Sequence, residues 1–122
     1  MSYLDPQTQQ VVLNASWRFD TAVNATDPGA RNFKFDNVTL ASVLNIYINS
    51  TSDNRGDLNT ILSALASGQK IYVQQVNDAD NAALFTVGTP VDNTGWWTIP
   101  VTVDASNTLM GNNQPCALVM SF

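Results

Sequence analysis

The feature that most limits what this chain can fold into is an alternation of apolar and polar residues that holds only over short segments. Clusters of Asn, Asp, Gly and Pro break it each time. The clearest case runs from Asp92 to Val103. A turn, Asp92-Asn93-Thr94-Gly95, leads into a segment with Trp97, Ile99, Val101 and Val103 on one face and Trp96, Thr98, Pro100 and Thr102 on the other. That period of two is the mark of a half-buried antiparallel strand. Trp17-Arg18-Phe19 and Asn32-Phe33-Lys34-Phe35 alternate in the same way. From Val43 to Asn49, Leu44, Ile46 and Ile48 are expected on one face, with Asn45, Tyr47 and Asn49 on the other. Further strands are expected over Lys70 to Val76, Ala83 to Val87 and Pro115 to Phe122. In the turn Asp27-Pro28-Gly29, Pro presets φ and Gly accepts a positive value. Asn77 to Asn81 reads as a second turn.

Only one segment has helical spacing. Leu58, Ile61, Leu62 and Leu65 make an apolar stripe, Asp57 precedes them as an N-cap and Gly68 follows as a left-handed terminus. The expectation is therefore a mainly β fold, an antiparallel β-sandwich or flattened barrel of about seven strands, with one short α-helix over about 58–67 that covers the sheet. A length of 122 residues supports a single domain with a real core. The expected layout is an N-terminal arm over 1–16 and one β-sandwich domain over 17–122.

Charge and composition remove several functions. Five basic residues, Arg18, Arg31, Lys34, Arg55 and Lys70, stand scattered against ten acidic ones, for a net charge of −5. Phosphate binding needs clustered cations, so no nucleic-acid partner is expected. No run approaches the roughly 18 apolar residues of a membrane helix, and no segment resembles a signal peptide. No membrane partner is expected. Histidine is absent and Cys116 is the sole cysteine, so neither a Cys-His pair nor an internal disulfide can be built. No acid, base or nucleophile set stands out, and neither an enzyme activity nor a cofactor is expected. Cys116 alternates with Leu118, Met120 and Phe122 and reads as a small buried hydrophobe.

Other motifs have local explanations. In Arg55-Gly56-Asp57, Gly56 makes the turn and Asp57 caps the helix. The acidic loops at Asp53/Asp57 and Asp78/Asp80 do not match a calcium loop, because from Asp53 the third position is Arg55 and the sixth is Leu58. Sequons at Asn14, Asn24, Asn37 and Asn49 follow from an Asn- and Thr-rich composition.

Two features are candidate partner contacts. Val11-Val12-Leu13 puts three large apolar residues in the N-terminal arm, where they are expected to pack on the domain itself or on a neighbour. Trp96, on the face opposite Trp97, either covers a sheet edge or offers an aromatic platform to a sugar or protein partner.

The order of segments resembles a small β domain of tailed-bacteriophage virion proteins, found in tail-fibre and collagen-like appendage proteins. The matching residues are Trp17-Arg18-Phe19, Asp27-Pro28-Gly29, Phe33 to Asn37, Ile46-Tyr47-Ile48-Asn49, the Leu58 to Leu65 helix, and Asp92-Asn93-Thr94-Gly95-Trp96 with Ile99-Pro100-Val101. The resemblance covers most of the chain from Trp17 onwards. It implies a structural virion protein. With no Gly-X-Y repeat or shaft after the domain, the expectation is a head decoration or cement protein. Its partners would be the major capsid protein or other virion proteins, and its oligomer a homotrimer. A tail- or head-fibre module that recognises host-surface glycan is the alternative.

Overall fold

The computed structural model describes residues 11–122. The alternating segments become strands β1 (Val12–Asp20), β2 (Asn32–Phe35), β3 (Asn45–Asn49), β4 (Lys70–Gln75), β5 (Asp78–Val87), β6 (Val91–Asp92), β7 (Trp96–Ser106) and β8 (Pro115–Ser121). A single helical turn, α1 (Asn59–Leu62), and a 3-10 turn at Leu40–Ser42 complete the elements. Seven strands pair in the order β3-β2-β1-β8-β4-β5-β7, and a further β3–β7 pairing closes them into a barrel. The two-residue strand β6 adds to β7.

The strand β7 makes closure possible because its two halves serve different neighbours. Residues Trp96 to Pro100 pair with β3, and Val101 to Ser106 pair with β5. The handover falls at Pro100, which has no N–H to offer a ladder. Its carbonyl accepts the Gly88 N–H at 2.7 Å. A side chain at Gly88 would place its Cβ 3.1 Å from the Pro100 Cβ, so any larger residue would crowd this approach.

One pair departs from the antiparallel expectation. β1 and β2 are parallel, in register Arg18↔Asn32 to Asp20↔Lys34. Parallel neighbours need a crossover, and residues 21–31 supply it. Asp27 Oδ1 accepts from the Gly29 N–H at 2.8 Å and from Asn49 Nδ2 at 2.9 Å, with Gly29 at φ +91°. Lys34, 2% exposed, donates from Nζ to Asn24 Oδ1 and Thr26 Oγ1, which ties the crossover to β2.

The barrel interior is the core. Phe19, Phe33, Phe35 and Phe85 form a ring cluster with centroids 5.1–5.7 Å apart. Trp17 is fully buried and its Nε1–H donates to the Asn49 carbonyl at 2.9 Å. Cys116, Leu118 and Met120 face the same interior from β8.

Four sequence expectations are corrected. The helix expected over 58–67 is one turn, because Asn59, Thr60, Ser63, Ser67 and Gly68 are poor helix formers and Ala66 gives its N–H to the Gln69 side chain. Asp57 still acts locally, accepting the Asn59 N–H at 2.9 Å, although Leu58 is the N-cap position. The boundary drawn after residue 16 falls inside β1, since Val12 to Ser16 pair with Ser121 to Ala117 of β8. The rest of the expected arm, residues 1–10, lies outside the described residues. Leu44 precedes β3 and is 65% exposed, while Val43 takes the core position and Tyr47 and Asn49 are buried. The turn expected at 77–81 is tighter, at Val76-Asn77, with β5 already begun at Asp78.

Candidate functional site

Two depressions flank α1, and they differ in chemistry. The first is an apolar groove of about 380 Å³ lined by Val11, Val12, Leu13, Ile61, Ala64 and Phe122. Its floor is fixed by backbone pairing, because Phe122 N–H donates to the Val11 carbonyl at 2.8 Å and Leu13 sits opposite Met120. Its other wall comes from the helical turn. Leu62 and Leu65 go into the core, which leaves Ile61 and Ala64, three residues apart on one face, toward the groove. Val11, Val12 and Ile61 are 68%, 55% and 41% exposed.

The second depression is a polar cleft of about 310 Å³ lined by Ser50, Asp57, Asn59, Asp92, Thr94 and Gly95. Asn59 is its pivot. Its Oδ1 accepts from the buried Trp97 Nε1–H at 3.0 Å and from Ser50 Oγ–H at 3.1 Å. Asp92 Oδ1 accepts the Thr94 N–H at 2.8 Å, and the backbone passes through positive φ at Thr94 and Gly95. Ser50 N–H donates to the Gly95 carbonyl at 2.9 Å, so the ends of β3 and β7 hold the two walls together.

The structure brings Val11, Val12 and Leu13 into the groove together. Trp96 is not with them. It lies on the outer face of β7, half-buried, with its ring 6.2 Å from that of Tyr47 at 67°. Ile61, Ala64 and Phe122 were missed as groove residues by the sequence reading. Their signal was present, since Ile61 and Ala64 share a helical face and Phe122 continues the β8 alternation.

The groups with perturbed pKa values, Cys116, Tyr47 and Asp104, line neither depression. Burial pushes the Cys116 thiol up to about 12, away from the thiolate form. Burial, and then the Asp36 charge, also raises Tyr47. Hydrogen bonds from Lys70 and then Thr86 lower Asp104, which pairs with Lys70 at 2.8 Å on the outer face. Among the described residues, no group of three or more Cys, Asp or Glu side chains is placed to hold a metal, and no helix is long and apolar enough to cross a membrane.

No family model matches the chain, and neither does any curated protein or solved structure. Of the two depressions, the groove exposes the larger apolar side chains and the cleft the denser set of polar atoms.

Proposed function

We propose that the chain is a non-enzymatic structural protein of a tailed-phage virion, a head decoration or cement protein that docks on the major capsid protein and stabilises the shell. The observation that supports docking most directly is the groove of Val11, Val12, Leu13, Ile61, Ala64 and Phe122. Contiguous apolar groups left in water mark interaction surfaces. Burying each large side chain contributes on the order of 1.5 to 3 kcal/mol at best. A homotrimer would present three such grooves to the shell, and avidity would multiply their effect. The phage setting comes from the resemblance of the Trp17, Asp27-Pro28-Gly29, Ile46 to Asn49 and Asp92 to Val101 segments to virion β domains. In this reading the protein resides in the virion.

The second reading, a fibre module for host-surface glycan, is favoured by a different observation, the polar cleft whose Gly95 rim leads directly into Trp96. One experiment separates the two. Particles lacking the protein are mixed with the purified chain and with its Ile61→Asp variant, and copies per particle are counted. Decoration of the head by the native chain, with occupancy about tenfold or more lower for the variant, is the expected result, because a charge in an apolar contact is costly. Equal decoration by both rules out the groove. A few copies confined to an appendage favour the fibre reading.

A further inference from the structure

We propose that the polar cleft between Ser50, Asp57 and Asn59 on one side and Asp92, Thr94 and Gly95 on the other binds the vicinal hydroxyls of a neutral saccharide. The inference deepens the glycan reading and is independent of the apolar groove. It follows from which atoms the cleft residues have already committed. Asn59 Oδ1 receives two hydrogen bonds, from Trp97 Nε1–H and Ser50 Oγ–H. That fixes the amide orientation and leaves the Nδ2 hydrogens as the donor it can offer. Asp57 and Asp92 each use Oδ1 on a backbone N–H, of Asn59 and Thr94 respectively. The second oxygen of each carboxylate, and the Thr94 hydroxyl, have no partner among the described residues.

The lining of the cleft thus combines one oriented amide donor with two carboxylate acceptors. A vicinal diol is the complement of that array, since each hydroxyl donates one hydrogen bond and accepts another. Hydrogen bonds to a charged acceptor are the stronger kind. A volume of about 310 Å³ lies at the low end of small-molecule sites, which start at about 300 Å³, so one sugar ring is the fitting size. Two carboxylates repel an anionic sugar. The orienting bonds come from Trp97 and Ser50, 6% and 5% exposed. The amide is therefore set before a ligand arrives.

The test uses the full-length chain labelled with ¹⁵N. It is titrated with the methyl glycosides of mannose, galactose and glucose, which between them present cis and trans diols, with glucuronate, and with calcium chloride alone. The expected result is a millimolar interaction with at least one neutral glycoside. Shifts should be confined to the Asn59 side-chain amide and to the backbone of Thr94 and Gly95, with a weaker response to glucuronate. Asp92→Asn and Asp57→Asn keep a cap for the turn but place an amide where the outward acceptor stood. Each should weaken binding about tenfold or more at an unchanged melting temperature. No shift with any glycoside overturns the proposal. So does a response to calcium alone, which would make the carboxylates cation ligands. Shifts that appear at Trp96 and Tyr47 but not at Asn59 overturn this site while leaving the glycan reading intact.

Discussion

Cys116 illustrates what a single residue decides in this protein. The thiol sits in the barrel interior with zero exposure, and burial holds its pKa near 12. At pH 8 the native thiol is therefore protonated and shielded. A thiol-reactive dye added at that pH should label the folded protein hardly at all and the guanidinium-unfolded chain fully. Labelling of the native form on the timescale of mixing would mean that β8 opens locally. Lys34 makes the opposite point. Its side chain is buried beneath the crossover, where Nζ donates to the neutral oxygens of Asn24 and Thr26. Alternation in Asn32-Phe33-Lys34-Phe35 put it on the outer face, where lysine ordinarily meets water. Asn24 and Thr26 meet it there from the crossover, a contact that no local pattern announces.

At the scale of elements, α1 is the informative case. The stripe Leu58, Ile61, Leu62 and Leu65 was expected to face inward along a short helix over about 58–67, but the helix is a single turn and the structure divides its members. Leu62 and Leu65 are 1% and 4% exposed, whereas Ile61 is 41% exposed. Leu62→Ala and Leu65→Ala should each destabilise by about 2 to 5 kcal/mol. Ile61→Ala should cost less than about 1 kcal/mol, a surface-like change, as read by urea denaturation. Similar losses at all three positions would show that the groove is closed in solution. The strands were more legible than the helix. Period two in Trp96 to Val103 and in Cys116 to Met120 marked the inward residues correctly, because a one-residue slip would expose the whole face. The parallel pairing of β1 with β2 was not legible, since alternation is the same for either direction. Nor was the role of Pro100 as the point where β7 changes partner, which depends on Gly88, just past the end of β5.

For the whole molecule, closure is the governing fact, and it changes what the first residues do. Val12 and Leu13 pair with Ser121 and Met120, so they belong to the barrel wall as well as to the groove. Removing residues 1–13 should lower the melting temperature by several degrees, roughly the effect of 1 to 2 kcal/mol. An unchanged melting curve would show that this end of β1 adds nothing to the barrel. The candidate contacts were half legible for the same reason. Val11-Val12-Leu13 stood out as an apolar run, but its neighbours Ile61, Ala64 and Phe122 come from segments far apart in sequence. The ring β3-β2-β1-β8-β4-β5-β7 also carries a consequence for biosynthesis. Of the described strands β1 is made first, yet its long antiparallel partner is the last of them, β8, residues Pro115–Ser121. Until those residues have been made, one flank of β1 has no strand to meet, and topologies dominated by such distant pairings form slowly. Vectorial synthesis therefore cannot complete this barrel piece by piece: the nascent chain must wait, with an open strand edge that invites a neighbouring chain, until residues 115–121 are free to insert between β1 and β4.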